Sequence, residues 1–408
     1  MQKRNEERLA GSQLSLDLIV EILKKLPSKS LVRFRCVSKE WSTIISSRRD
    51  FIEAIVARSL LAQQQQQQQP PLFVFHHCVP EPFFTLSSTF SESIKEAVSV
   101  FASPGPGCTL FEYQYVRGLI CCYSTSYQLF TIYNPTTRQS LRLPLIEDSV
   151  TEFRRYICHF GYDAVMDQYK VMSIVFDVRE FSQTFHVFTL GRSQQSWRRI
   201  KGIDDEKLLP SVDAVCIHGT IYYGATRITK KANCAETDDS RRTFDRGETV
   251  LLSFDIRSER FYHVSTPEPM LKASSCTIAS SRTLLNHKGK LGCIYSGRYE
   301  TCMWVMESAR KQEWSKITFD LPEHPLGCLK GAFSGFSGVT PAGEIFATQN
   351  TYFFREPLYV YYYDMNRNSF RRVEIQGTRP EKVTRKNRYA VTVLAIHDHV
   401  ENTMLLLL

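Results

Sequence analysis

The sequence predicts a multidomain protein in which a small all-α module of three to four short helices precedes an all-β propeller of about six blades. Three observations lead to this prediction. Apolar residues recur at helical spacing in residues 14–61, short strand-like runs fill the chain from residue 72, and a glutamine tract separates the two regions. The 408 residues are also too many for one ordinary hydrophobic core.

Composition indicates a folded protein of the reducing compartments. A hydrophobic content of 43% and an aromatic content of 12% are typical of globular domains. The formal charge of +9 favours an acidic partner, but the basic residues are spread along the chain. The N-terminus lacks an apolar signal segment, so we expect reduced cysteines and localisation in the nucleus and/or cytoplasm. The apolar runs are too short to span a bilayer, and no membrane partner is expected.

The helical module follows a polar tail, residues 1–13, and occupies residues 14–61. Leu18, Ile22 and Leu26 recur every four residues, which predicts an amphipathic helix that Pro27 ends. A last helix is predicted from about Asp50 to Leu61. The candidate N-caps are Ser15 or Asp17 for the first helix, Ser28 or Ser30 for the second, and Ser38 for the third.

The module carries apolar residues on more than one face, and two interpretations stay open. These residues either form the core of a small helical bundle or leave part of their surface for a partner, in a helix-in-groove manner. Residues 62–71, a polyglutamine and proline segment, are interpreted as a linker. The glutamines either stay disordered or continue the preceding helix as far as the two prolines.

The β domain is predicted to span residues 72–408. Its strand-like runs include 72–75, 83–86, 118–122, 127–133, 169–176, 220–224 and 358–363. A unit of strand, turn and strand recurs, with equivalent positions at Leu141, Trp197, Phe261, Trp314 and Phe370. The regular spacing of these equivalent positions along the chain predicts kelch-like blades. A stack of sheets that does not close into a ring fits the same spacing. Residues 389–396 and 403–408 are expected to close the ring or to pack on its first blade.

The helical stretch resembles the F-box of plant proteins. The residues that carry the resemblance are Asp17-Leu18, Glu21-Ile22-Leu23, Leu26-Pro27, Lys29-Ser30-Leu31, Arg33 to Lys39, and Trp41; Ser15 stands where the family usually has proline. The remainder is similar to the F-box-associated domain of the same family. That similarity rests on Tyr133 to Thr137 with Leu143-Pro144, Phe160 to Asp163 with Tyr169 to Val171, His218 to Tyr223, Phe254-Asp255 with Phe261, and His399 to Asn402.

The resemblance implies a non-catalytic substrate-recognition subunit of a Skp–Cullin–F-box ubiquitin ligase. Its partners would be a Skp-type adaptor, through it the cullin and RING subunits, and an unknown target protein held by the β domain. The adaptor-binding residues implied by the family are Leu14, Leu18, Ile22, Leu26, Pro27, Leu31, Val37 and Trp41. The basic residues of the module either face an acidic rim of the adaptor or are simply solvated.

Motifs for catalysis and metal binding are few. No CxxC pair, GxSxG, Walker or dinucleotide motif is present, and His76-His77-Cys78 is the one tight His/Cys cluster. We therefore expect no catalytic residue, metal or cofactor and no nucleic acid partner; a metal-dependent enzymatic propeller or a nucleic-acid-binding propeller is the alternative. Residues 228–248 and 76–82 are the candidate target-recognition segments.

Overall fold

The protein is described here from a computed structural model. Its described residues are 14–64, 71–77, 83–87, 97–98, 111–125, 128–147, 154–180, 182–191, 196–203, 206–229, 245–268, 281–296, 301–319, 333–349, 358–375 and 391–406. Within these ranges the helices are α1 (Leu16–Lys24), α2 (Ser28–Phe34), α3 (Lys39–Ser47) and α4 (Arg49–Gln64). Helix α4 thus continues into the glutamine tract, past the predicted start of the linker at residue 62.

Side-chain caps start two of these helices as predicted. The Ser15 hydroxyl accepts a hydrogen bond from the Leu18 amide at 3.3 Å, and the Ser38 hydroxyl accepts one from the Trp41 amide at 3.1 Å. The prediction for α2 was wrong, because its N-cap is Pro27, which has no side chain to accept a bond. Ser28 lies inside the helix instead, and its hydroxyl donates to Glu401 at 2.6 Å.

The helices pack around one small hydrophobic core, formed by Val20, Leu23, Leu31, Ile44, Ile45, Phe51 and Ile55. Helix α1 rests against α4, whose Arg58 guanidinium donates to the carbonyl oxygens of Lys24 and Leu26 at 2.6 and 2.8 Å. A cation is favourable there because the last carbonyl groups of a helix lack intrahelical partners. Some of the apolar residues of the module therefore form its own hydrophobic core.

The rest of the described chain is almost entirely strands. The first twelve are β1 (Leu72–His77), β2 (Phe83–Ser87), β3 (Ala97–Val98), β4 (Phe111–Val116), β5 (Leu119–Ser124), β6 (Phe130–Asn134), β7 (Gln139–Arg142), β8 (Arg154–Asp163), β9 (Gln168–Asp177), β10 (Ser182–Thr189), β11 (Arg198–Ile200) and β12 (Leu208–Ile217). The others are β13 (Thr220–Thr229), β14 (Asp245–Asp255), β15 (Arg260–Val264), β16 (Ser281–His287), β17 (Lys290–Ser296), β18 (Thr301–Ser308), β19 (Glu313–Phe319), β20 (Phe333–Val339), β21 (Ile345–Gln349), β22 (Leu358–Asp364), β23 (Ser369–Ile375) and β24 (Val391–Ile396).

These strands form six four-stranded antiparallel sheets arranged as a β-propeller. Five sheets are made of four consecutive strands each, and the sixth joins β24 to β1, β2 and β3. The pairing of β24 with β1, in which Val74 lies opposite Leu394, closes the ring by linking both ends of the domain. The first strands of successive sheets, such as β8 and β12, lie side by side near the axis. That the blades are of the kelch type stays a prediction.

Two kinds of turn explain the repeat. The hairpins between the first and second strands of three sheets have two residues at positive φ: Arg117-Gly118, His218-Gly219 and Lys288-Gly289. Such turns match the twist of the strands and favour glycine at the second position. The hairpins between the third and fourth strands begin with Asn134, Asp255 and Asp364, whose side-chain oxygens accept bonds from amides two or three residues on.

The repeat positions taken as equivalent in the sequence are equivalent in the fold. Leu141, Phe261, Trp314 and Phe370 lie in the outer strands β7, β15, β19 and β23, and Trp197 directly precedes β11. The expectation for residues 403–408 was wrong in part. Residues 403–406 form no strand, and Leu405 bonds to the carbonyl oxygen of Ser46 in α3 instead. No described helix is long and apolar enough to cross a membrane.

Candidate protein-binding surface of the helical module

One side of the helical module presents large apolar side chains to solvent. Leu14, Leu18 and Ile22 are 50%, 47% and 44% exposed, and Val37, three residues beyond α2, is 59% exposed. Leu16, which the sequence interpretation omitted, is 44% exposed but lies two residues from Leu18, on a different side of α1. Residues four apart share one face of a helix, so Leu18 and Ile22 form a continuous stripe on α1. We call Leu14, Leu18, Ile22 and Val37 the apolar patch. Patches of this kind in soluble proteins mark interaction sites.

The helical module that carries the apolar patch also exposes basic side chains. Lys25, Lys29, Arg33 and Lys39 are exposed, whereas Arg35 is half-buried. Lys24 pairs with Glu21 at 2.9 Å, and this bridge lowers the pKa of the Glu21 carboxyl through the hydrogen bond and the charge of Lys24. The positive charge of the module suits an acidic partner surface.

The opposite side of the module lies on the propeller through α4. The Arg117 guanidinium donates to the Glu53 carboxylate at 2.5 Å and stacks 4.6 Å from the centre of the Tyr162 ring. The Tyr162 hydroxyl lies 3.0 Å from Glu53 and 2.6 Å from Asp167, and burial together with the bond to Asp167 raises the Tyr162 pKa. Arg49 pairs with Asp167. The two cations and two carboxylates balance one another across this contact.

The chain segment after β24 enters the same contact. We call residues 399–406 the C-terminal strap. Val400, Asn402 and Thr403 are 1%, 1% and 0% exposed. The strap runs between the turns of the β4–β7 and β8–β11 sheets on one side and α2, α3 and α4 on the other. The strap therefore contacts both the propeller and the helical module.

Buried polar side chains inside the propeller link its strands, and buried titratable groups there have pKa values shifted by burial. The Gln114 side chain of β4 bonds the backbone of β8 at Cys158 and Phe160 and the Val212 carbonyl oxygen of β12, at 2.7 to 3.2 Å. Burial lowers the pKa of His159 to about 3 and raises that of the Cys121 thiol to about 12. A thiol of this kind is a poor nucleophile.

Among the described residues, no group of three or more His, Cys, Asp or Glu side chains could hold a metal ion. Of the predicted cluster at residues 76–78, Cys78 lies outside the described residues, as do most of the candidate target-recognition segments 76–82 and 228–248.

Comparison with known families agrees with this two-part architecture. The family described as F-box associated beta propeller domain matches residues 70–400, and the family described as F-box domain matches residues 12–53. The chain belongs to the plant F-box proteins that carry an F-box-associated propeller.

Relatives of this F-box protein come from Arabidopsis thaliana. "F-box protein At1g52495" is 53% identical, over 99% of this chain and 91% of that protein. "Putative F-box protein At1g32420" is 44% identical over 75% and 90%, and "Putative F-box protein At5g50220" is 37% identical over 96% and 90%. Among solved structures, a chain of the nidogen/laminin complex covers 79% of this chain and 98% of its own length, at 10% identity and a TM-score of 0.40.

The F-box places the predicted adaptor-binding residues in three different environments. Leu14, Leu18, Ile22 and Val37 are exposed in the apolar patch, and Pro27 is exposed at the start of α2. Leu26 and Trp41 are half-buried, and the Trp41 ring packs edge-on against Phe34 at 5.8 Å. Leu31 is 0% exposed. Leu31 thus lies in the core of the module, and its part in adaptor binding stays a prediction.

Proposed function

We propose that this chain is a substrate-recognition subunit of a Skp–Cullin–F-box ubiquitin ligase. The observation that carries the proposal is the apolar patch on α1 and just beyond α2, within the segment that matches the F-box domain. The patch would bind the Skp-type adaptor, and the adaptor would connect the chain to the cullin and RING subunits.

The strength of this contact follows from the exposed area of the patch. Leu14, Leu18 and Ile22 each keep about half of their side-chain surface in contact with water. Covering a half-exposed side chain of this size contributes about 1 kcal/mol, since full burial contributes about 2. The three together therefore account for about 3 kcal/mol of binding free energy. The basic side chains of the module would raise the association rate with an acidic adaptor more than the affinity.

The target would bind the propeller on the face away from the F-box. The F-box covers the turn at Arg117 and the turn at residues 163–168, which lie at the same end of the propeller. Strands β7 and β13 both run away from that end and finish at Arg142 and Thr229 on the other face. That second face would hold the target while the adaptor occupies the F-box.

The chain itself would supply binding and no chemistry. Ubiquitin transfer needs a reactive thiol or a catalytic partner, and the buried thiols of the propeller, such as Cys121 and Cys158, have pKa values raised by burial. The catalytic steps would belong to the other subunits of the ligase. We place this activity in the nucleus and/or cytoplasm.

Titration calorimetry with a purified plant Skp-type adaptor tests the proposal. The triple variant Leu14→Ala/Leu18→Ala/Ile22→Ala should bind about 100-fold more weakly than wild type, the equivalent of about 3 kcal/mol. Its thermal unfolding should be nearly unchanged, because the three side chains are half exposed.

Leu145→Ala is the matched control. Leu145 is 57% exposed but follows β7 on the opposite face of the propeller, so its replacement should leave adaptor binding unchanged. Equal binding by wild type and the triple variant would contradict the proposed function, as would equal losses in the triple variant and the control.

A further inference from the structure

The C-terminal strap holds the propeller through buried backbone and amide contacts. The Asn402 side chain donates to the Arg117 carbonyl oxygen at 3.1 Å and to the Tyr169 hydroxyl at 2.9 Å. The Asn134 side chain in turn donates to the carbonyl oxygens of Asn402 and Met404 at 3.0 Å each. Both asparagines are buried, so these bonds lie where water does not compete for them.

The approach of the strap to the propeller leaves no room for a side chain at Gly118. A Cβ atom at this position would lie 2.6 Å from the Asn402 Cβ and 2.9 Å from the Val400 carbonyl oxygen. Gly118 also has a φ of 89°, which disfavours other residues. The strap is therefore seated on this hairpin with close contact along its backbone.

The same short strap holds the F-box from the other side. The Glu401 carboxylate accepts from the Ser28 hydroxyl at 2.6 Å and lies 3.5 Å from the Arg58 guanidinium. The Glu401 amide donates to the Ser59 hydroxyl at 3.1 Å, and the Gln63 side chain donates to the His399 carbonyl oxygen at 2.8 Å. Helices α2 and α4 are thus both tied to one residue, Glu401.

Contacts to both domains lie within four residues of the strap. The His399 carbonyl oxygen accepts from Gln63 of α4 while the His399 ring lies 6.1 Å from the ring of Tyr115 in the propeller, and the Val400 amide donates to the Tyr115 hydroxyl. Glu401 contacts the helical module and Asn402 contacts the propeller, so four residues suffice to bridge the two domains. These are the residues His399 to Asn402, part of the family resemblance in the sequence.

We propose that the C-terminal strap, through Glu401, is a positioning element that fixes the F-box in one orientation on the propeller. The benefit of this fixed orientation rests on the proposed function, because it would hold a bound target at a constant distance from the adaptor. Glu401 itself touches neither the apolar patch nor the face proposed for the target. It acts on ligase geometry through Ser28 and Arg58.

Fluorescence energy transfer within the full chain tests this inference without an adaptor or a target. Donor and acceptor dyes are placed through unnatural amino acids at Thr43 on α3 and Lys311 in the turn between β18 and β19, both exposed. Wild type should give one narrow distance distribution. Glu401→Ala/Gln63→Ala should broaden it by about two-fold, because the helical module then loses the bonds of the Glu401 carboxylate and the Gln63 side chain and keeps the ion pairs Arg117–Glu53 and Arg49–Asp167.

Glu307→Ala/Gln183→Ala is the matched control. Glu307 accepts from the Ser315 hydroxyl at 2.6 Å and pairs with Lys290, and its side chain is 43% exposed against 39% for Glu401. Gln183 donates to the Glu206 carbonyl oxygen at 3.1 Å, as Gln63 does to His399. This control should keep the narrow distribution. The conservative variant Glu401→Gln, which still accepts from Ser28, should stay close to wild type.

An unchanged distribution in Glu401→Ala/Gln63→Ala, with circular dichroism showing an intact fold, would overturn the inference. Broadening in the control to the same degree would overturn it as well. Adaptor affinity measured on the same variants separates the two proposals. It should match wild type in Glu401→Ala/Gln63→Ala, whereas loss of the proposed function would appear as absent adaptor binding in every variant, wild type included.

Discussion

Replacement of Leu31 by alanine distinguishes the core of the F-box from its binding surface. Leu31 is 0% exposed and packs with Leu23, Ile45 and Phe51. The substitution removes three buried carbon atoms, which at about 0.8 kcal/mol each amounts to about 2.4 kcal/mol of lost transfer free energy. The cavity that remains raises the expected loss to about 3 to 4 kcal/mol. A loss of this size unfolds a marginal helical module in part of the molecules.

Hydrogen exchange of the full chain measures this loss locally. In Leu31→Ala the slowly exchanging amides of α1 and α4 should exchange about 100- to 1,000-fold faster, since 1.4 kcal/mol corresponds to a factor of ten. Exchange in the propeller strands should change much less. Leu18→Ala is the comparison, because its side chain is 47% exposed and its loss should cost less than about 1 kcal/mol. Equal effects of the two substitutions on exchange would refute the assignment of Leu31 to the core.

Two further predictions concern the propeller. The Lys170 ammonium is buried and bonds the Ile256 carbonyl oxygen and the Glu259 carboxylate at 2.8 Å each, so Lys170→Met should destabilise the domain by about 3 kcal/mol in urea unfolding. Lys311→Met, in an ion pair whose side chains are 70% and 60% exposed, should cost less than about 0.5 kcal/mol, and equal costs would contradict the ion-pair argument. Burial lowers the pKa of His159 to about 3, so below pH 6.5 the unfolded chain takes up a proton that the folded chain does not. This histidine should therefore reduce stability by about 2 kcal/mol at pH 5, as its unfolded pKa is about 6.5. His159→Gln should show a shallower loss of stability between pH 7 and pH 5, and an unchanged slope would exclude His159 as a source.

The local features of the fold are readable from the sequence because short-range chemistry sets them. Ser15 and Ser38 cap helices, and Gly219 and Gly289 turn hairpins, for reasons contained in a few neighbouring residues. The strand repeat follows from turns of this kind. These two helix caps were predicted correctly, whereas Gly118 was predicted to begin a strand and lies in a turn instead.

The environment of Leu31 and the role of the strap depend on contacts far apart in the sequence. A helix of seven residues such as α2 has too few positions for its periodicity to separate the core face from a partner face. Ser28 was expected to cap α2, but its hydroxyl bonds to Glu401, a residue at the far end of the chain. The strap has no apolar period, so its position between two domains becomes visible only in the structure.

Photo-crosslinking of the full chain to the Skp-type adaptor tests most directly whether the adaptor binds the apolar patch. A photoreactive phenylalanine derivative is placed at Leu18, in the apolar patch, or at Leu145, on the opposite face of the propeller; the two side chains are 47% and 57% exposed. A covalent product with the adaptor is expected from position 18 and none from position 145. Crosslinking from position 145 but not from position 18 would contradict the claim that the adaptor binds the exposed face of α1.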